Sequence, residues 1–168
     1  MRQGPRYRVK PRRQREGKTD YRKRLKLLRS RKPRMVVRRS LKNTQVQFVE
    51  YREGGDNIVA SAVSMELISK YKWKYSTSTT PAAYLTGILA GKRAIDKGIN
   101  ECVLDLGRYL PVTGSKIFAS LKGVLDAGIE CPHNEEKLPN EDRIMGKHLD
   151  KDITSAVENI KNKIVGGK

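Results

Sequence analysis

Gly17-Lys18-Thr19 closes the run Arg12 to Leu28 in the way a nucleotide-binding P-loop closes, so phosphate chemistry is the first reading to weigh. A P-loop needs a glycine five positions before Gly17, so that successive backbone N–H groups can wrap the phosphates, and a buried strand feeding the loop. Arg12 occupies that position, and the preceding segment offers Val9 as its one aliphatic residue. The tripeptide is therefore not expected to form a nucleotide site.

Metal and hydrolytic chemistry fare no better. Cys102, Cys131, His133 and His148 are spaced by 29, 2 and 15 positions, which matches no usual zinc arrangement. Cys102 stands in an apolar stretch, where a thiol acts as a small core residue. No metal and no cofactor is expected. A ribonuclease-H-like nuclease would need several carboxylates converging on two metal ions. Arg38 and Arg39 stand where the first strand should carry such an acid, Asp105 is the one carboxylate in an apolar strand context, and Asp96 and Asp126 fall near helix ends. No Ser, Cys or Lys nucleophile has a recognisable partner pattern. No enzyme is expected.

Charge carries the strongest signal. Met1 to Lys42 holds 13 Arg and 6 Lys opposed by Glu16 and Asp20 alone, whereas the remainder has 17 basic and 16 acidic residues. A cationic arm on a nearly neutral body is an electrostatic contact for a polyanion. Arg2, Arg6, Arg8, Lys10, Arg12, Arg13, Arg15, Lys18, Arg22, Lys23, Arg24, Lys26, Arg29, Arg31 and Arg34 place a cation every second or third residue. Their guanidinium groups suit bidentate phosphate contacts and stacking. A membrane arm would need large apolar anchors beside the cations, and these are sparse.

Two further segments could touch nucleic acid. In "KYKWKYSTST", rings alternate with lysines before four hydroxyls, Ser76, Thr77, Ser78 and Thr79. Rings stack on bases and hydroxyls reach sugars or phosphates, but the same segment equally suits a core edge with Trp73 buried. In "PVTGSKIF", Gly114 and Ser115 open a helix whose first N–H groups can hold a phosphate beside Lys116, or are simply capped.

The elements that must position these residues follow from the pattern. Residues 1–32 have too little apolar surface to offset their ordering entropy, so this arm is expected to be disordered when free, its first part extended by Pro5 and Pro11. Within it, Asp20 to Ser30 suits a short helix with Asp20 as N-cap. "RMVVRRS", "TQVQFVEYR" and "NIVASAVS" predict a three-stranded antiparallel meander with a hairpin turn at Glu53-Gly54-Gly55-Asp56. A short helix over Met65–Tyr71 precedes a longer one capped by Thr80, with Pro81 in its first turn, a stripe of Leu85, Ile88, Leu89 and Ile95, and an end at Gly98. "ECVLDLG" predicts a buried strand. Ser115 caps a second helix with Phe118, Leu121, Val124 and Leu125 on one side, closed by Gly128, and "GIEC" predicts one more short strand. The fold class is thus α/β, the meander being continued by α/β units in a mixed sheet. Residues 33–133 form that domain, and 134–168 form a polar linker and an amphipathic C-terminal helix with Leu149, Ile153, Val157, Ile160 and Ile164 on one side. No run approaches the roughly 20 apolar residues that span a bilayer, the N-terminus is no secretory signal, and two cysteines give no disulfide framework. A reducing, intracellular compartment is expected.

"REGKTDYRKRLKLLRSRKPRMVVRRS", "WKYSTSTTPAAYLTGILAGKRA", "VLDLGRYLPVTGSKIFASLKGVLDAGIECPH" and "EDRIMGKH", in that order from about Arg6 to His148, resemble the ribosomal protein L-eighteen family in its archaeal and eukaryotic branch. The resemblance implies a non-catalytic constituent of the large ribosomal subunit, cytoplasmic in the ribosome, with no membrane or small-molecule partner. It implies binding to 5S rRNA, attachment of that RNA to the large-subunit rRNA in the central protuberance, and a neighbour from the L-five family. Position by position it implies RNA contacts from Arg6, Arg8, Lys10, Arg12, Arg13, Arg15, Lys18, Thr19, Tyr21, Arg22, Lys23, Arg24, Lys26, Arg29 and Arg34 in the arm, from Arg38 and Arg39, from Ser76, Thr77, Ser78 and Thr79, and from Thr113, Gly114, Ser115 and Lys116. The alternatives are a non-ribosomal architectural nucleic-acid-binding protein and, more remotely, the nuclease.

Overall fold

The computed structural model describes residues 4–149 and 151–166. Arg2 lies outside them. A four-stranded mixed sheet of order β3-β2-β1-β4 forms the centre: β1 (Arg34–Arg39), β2 (Thr44–Arg52), β3 (Gly55–Val63) and β4 (Val103–Asp105). β1 pairs antiparallel with β2 and β2 with β3, whereas β4 joins β1 in parallel. The period-2 alternation sends Met35, Val37, Val46, Phe48, Ala60 and Ala62 to one face, where all are buried. The other face carries Arg34, Val36, Arg38, Gln47, Val49, Asp56 and Ile58, which line one cleft.

Two helices before the sheet, α1 (Arg12–Arg15) and α2 (Tyr21–Leu28), belong to the arm. Then α3 (Met65–Tyr71) leads into α4 (Thr80–Ile95), and α5 (Lys116–Asp126) lies beside α4 over the buried sheet face. The apolar face of α7 (Lys151–Gly166), formed by Ile153, Val157, Ile160 and Ile164, packs on α4. Lys92 Nζ donates to the last carbonyls of α7, Ile164 O at 2.6 Å and Val165 O at 3.1 Å, a favourable pairing of a cation with a helix C-terminus. Sheet, α5 and α7 enclose α4, so 13 of its 16 residues are buried and it has no polar face. The narrower stripe read from the sequence missed this, and Ile95, placed in that stripe, is at the exposed rim.

α4 and α5 approach closely enough to require glycine. A Cβ on Gly87 would run into the backbone carbonyl of Ser120, and one on Gly123 into that of Tyr84. Each helix thus sets its backbone against the other's.

Several boundaries differ from expectation. The N-cap of α4 is Thr79, whose Oγ1 accepts from Ala82 N–H at 3.4 Å; Thr80 is already helical because Thr79 has the extended backbone a cap needs. Gly98 does close the helix: its N–H donates to Ile95 O and that of Ile99 to Ala94 O, the Schellman pattern. Gly128 closes α5 alike. The β2–β3 loop is Glu53-Gly54 alone, since Arg52 already pairs with Gly55 and Asp56 lies within β3. "GIEC" forms an isolated bridge between Glu101 and Glu130 rather than a strand. The polar linker carries α6 (Glu141–Ile144), held by the buried Ile144. Leu149 precedes α7 and is exposed.

Candidate nucleic-acid interface

The open face of the sheet is the floor of a cleft of about 550 Å³, and the arm from Lys18 to Leu27 is its far wall. The floor mixes Val36, Val49 and Ile58 with Arg34 and Arg38. The wall is a helix because Asp20, in an extended conformation, accepts from Arg22 N–H at 3.0 Å and Lys23 N–H at 3.2 Å. Those hydrogen bonds hold the Asp20 carboxyl below the ordinary aspartate range. Leu25 remains more than half exposed, and Leu27 and Leu28 are half-buried, so no dry core fastens α2 to the sheet.

Ion pairs fasten it instead. Asp56 Oδ1 lies 2.8 Å from Arg24 NH2 on α2 and 2.8 Å from Arg34 NH2 on β1. Arg34 in turn reaches Asp105 Oδ2 from NH1 at 2.9 Å. Asp105 Oδ1 accepts from Gly107 N–H at 2.7 Å and lies 3.7 Å from Arg38 NH2. Arg38 NH1 also donates to the carbonyls of Val37 at 2.7 Å and Asp105 at 3.1 Å. Arg24, Asp56, Arg34, Asp105 and Arg38 thus form one chain of alternating charge across α2, β3, β1 and β4. Its middle member is buried, with Arg34 only 3% exposed, so neither acid can be lost without leaving a guanidinium short of countercharge.

The anticipated contact residues differ in exposure. Arg6, Arg8, Lys10, Arg12, Arg13, Arg15, Lys18, Tyr21, Arg22, Lys23, Lys26, Arg29 and Arg39 are exposed. Arg34 and Thr77 are buried: Arg34 is committed to two carboxylates, and Thr77 Oγ1 donates to Lys42 O at 2.6 Å, tying its loop to the β1–β2 turn. Thr19 Oγ1 accepts from Arg13 Nε at 2.9 Å. Ser76 Oγ and Ser78 Oγ pair at 3.1 Å, and Thr79 caps α4. Trp73 is buried, with Nε1 donating to Ser76 O at 3.4 Å and its ring edge-on to Tyr75, so the core reading of that aromatic segment holds. Thr113 is exposed and accepts from Lys137 Nζ at 3.2 Å, Gly114 takes φ +67°, and Lys116 is half-buried. Ser115 occupies the N-cap of α5, but its hydroxyl makes no hydrogen bond, so it does not cap the first turn's N–H groups.

Gly17 has φ +68°, and a Cβ there would stand 2.9 Å from Arg108 NH1, so the arm turns tightly against the β4–α5 loop. Arg108 was not singled out from the sequence. Nor was Tyr109, whose hydroxyl donates to Arg39 O at 2.9 Å while its ring lies under the Arg39 guanidinium, 5.1 Å from centroid to Cζ. Asp105, an acid in an apolar strand, did signal a buried cation, which the structure supplies as Arg34.

Asp105 holds Arg34 and Arg38, and among the described residues no three Cys, His, Asp or Glu side chains gather as a metal-binding group would. Among the described residues, no helix is long and apolar enough to cross a membrane. A neutral α/β body whose open sheet face and preceding helices present guanidinium and ammonium groups is a polyanion-binding protein. The family model described as ribosomal large subunit proteins 60S L5 and 50S L18 matches residues 5–100. Among curated relatives, a "Large ribosomal subunit protein uL18" of Aeropyrum pernix is 55% identical over 149 residues, covering 89% of this chain and 70% of the relative. One of the same name from Korarchaeum cryptofilum is 55% identical, covering 89% of this chain and 76% of its own. The chain belongs to this family of large-subunit ribosomal proteins. It is a structural component of the cytoplasmic ribosome with rRNA and ribosomal proteins as partners, and it is not an enzyme. Membership sets aside both the nuclease and the non-ribosomal architectural protein.

Proposed function

We propose that this chain binds 5S rRNA and helps attach it to the large rRNA in the central protuberance, beside a member of the L-five family. The observation that carries this reading is the cationic wall and floor of the arm cleft. Asp56 and Asp105 fix three arginines there, while Arg6, Arg8, Lys10, Arg15, Arg22, Lys23, Lys26 and Arg29 have no carboxylate partner among the described residues. Those eight, with Arg12, Arg13, Lys18, Tyr21 and Arg39, contact phosphates and bases. Ser76, Ser78, Thr113, Gly114 and Lys116 add contacts from the body, where a 2′-hydroxyl can be sensed. Arg34 and Thr77 hold the surface from beneath. The arm, residues 1–32, completes its ordering on RNA, 33–133 supplies the docking surface, and 134–168 braces α4.

Competition binding between 5S rRNA and duplex DNA tests the proposal. With about eight arm cations on phosphates, affinity falls by roughly 10³–10⁵ between about 50 and 200 mM salt. A truncation beginning at Arg34 keeps its fold and loses most of that dependence. Equal affinity for duplex DNA would overturn the 5S assignment, and an unfolded truncation would make the arm part of the core.

A further inference from the structure

Cys102 and Cys131 are the only two thiols in the chain, and neither serves the cationic surface. Both are free and buried. Cys102 immediately precedes β4, and Cys131 follows α5 beyond its Gly128 turn. The parallel bridge between Glu101 and Glu130, with Cys102 N–H donating to Glu130 O at 2.9 Å, sets the two segments side by side. Continuing that register by one residue places Cys102 opposite Cys131, with both side chains in the core cluster. Neighbouring strands lie about 4.8 Å apart. That falls within the roughly 4.4–6.8 Å Cα separation a disulfide accepts.

The environments of the two sulfurs differ in a useful way. The hydrogen bond from Cys102, helped by Leu104 N–H and opposed by burial, pulls the Cys131 thiol below its ordinary value. Pairing with Cys131, and then burial, pushes the Cys102 thiol up. Cys131 also lines a surface pocket of about 390 Å³ with Lys32, Glu101 and His133, whereas Cys102 is fully enclosed. Of the two, Cys131 stands at the wall of that pocket and is the thiol favoured as thiolate, whereas Cys102 lies behind it and keeps its proton.

We propose that Cys102 and Cys131 form a reversible dithiol–disulfide site, oxidised by a small hydroperoxide that enters at Cys131. The Cys131 thiolate attacks the terminal hydroxyl oxygen of the hydroperoxide, the O–O bond breaks, the remaining oxygen leaves as alkoxide (hydroxide from hydrogen peroxide), and Cys131 becomes a sulfenic acid. The Cys102 sulfur then displaces that hydroxyl. An S–S bond forms, and the Cys102 proton departs with the hydroxyl as water. The two sulfurs together give up two electrons, and the peroxide takes both. An external dithiol reverses the change by exchange.

The test uses the full chain treated with hydrogen peroxide, denatured, alkylated and weighed by mass spectrometry. A monomer lighter by two hydrogens is expected, with both cysteines closed to alkylation together, one cross-linked peptide joining them, and recovery with dithiothreitol. In Cys102→Ala, Cys131 stops at a sulfenic acid that dimedone traps; in Cys131→Ala, Cys102 stays reduced at the same dose. The wild-type measurement decides even if a variant fails to fold. Sulfinic or sulfonic acid at either cysteine in place of the disulfide would overturn the proposal. So would two alkylatable thiols after a dose that oxidises a cysteine peptide.

Discussion

The two faces of the sheet are held by different physics. On the helix side, Met35, Val37, Val46 and Phe48 meet α4 and α5 in a dry layer, and Gly87 and Gly123 bring the two helix backbones together. On the open side, α2 stands off across a cleft and is tied down by Asp56, while Asp105 anchors Arg34 and Arg38 below it. Shape governs the first face, so an added atom is what it cannot accept. Charge placement governs the second, so a lost carboxylate is what harms it. The acids of this strongly basic protein thus shape its open face, because they fix where the guanidinium groups stand.

The largest effect is expected at the helix crossing. Gly87→Val adds side-chain atoms where the Ser120 carbonyl already sits. Overpacking against backbone, which cannot rotate away, costs about 3 kcal/mol. For a chain of this size that lowers Tm by roughly 10 °C, read by calorimetry, while the folded fraction keeps its RNA affinity. A neutral Gly87→Val would mean that the helices are not in backbone contact and that the packed face is not governed by shape.

Asp105→Ala comes next. Removing one partner of a buried pair costs up to about 3–5 kcal/mol. Asp56 still serves Arg34, so the loss expected from denaturant unfolding is about 2 kcal/mol. RNA affinity falls too, because Arg38 loses an anchor. Adding Arg34→Met to Asp105→Ala should recover most of the stability, since an apolar replacement for a buried pair is often neutral, but not the affinity. Recovery of both would show that the open face, too, is held by packing alone.

Legibility in the sequence followed the same division. The strands, α3, the α4 and α5 closures at Gly98 and Gly128, and the Asp20 cap are local, and local pattern revealed them. The all-round burial of α4 was hidden because it depends on α5 and α7 both reaching it, a tertiary fact that a single stripe cannot encode. The cations were plain as composition. Which of them are exposed and which, like Arg34, are spent on carboxylates was not, because Asp56 and Asp105 lie 22 and 71 positions from Arg34. Charge counting sees an arm; only the sheet register turns it into a surface.

A smaller effect is expected on the packed side, where Glu66 forms an ionic clip. Glu66 accepts from Arg93 at 2.6 and 3.0 Å, from Lys70 at 3.0 Å and from Val63 N–H at 3.1 Å, joining α3 to α4 and the end of β3. Arg93 above all holds its carboxyl at about 2, against an ordinary 4.5. A depressed carboxylate stabilises the fold fully above the unfolded value and loses that contribution as pH falls from about 4.5 through about 2. The clip is partly open to solvent, so Glu66→Gln should cost only about 1 kcal/mol at neutral pH. The difference from wild type should shrink through that acid window; a difference independent of pH would show that the clip acts by shape.

Asp20→Ala should have the least effect on the whole molecule and the most local one. Its carboxylate accepts two N–H groups of the first turn of α2, and α2 has no buried residue to hold it once that cap is gone. Hydrogen exchange should therefore show lost protection confined to Tyr21–Leu28, with global Tm unmoved. The same local loosening should appear in wild type as acid protonates Asp20, below the ordinary aspartate value because its folded pKa is lowered. If removing this one cap instead lowers Tm, then α2 is cooperative with the core, and the open face is fastened by more than charge.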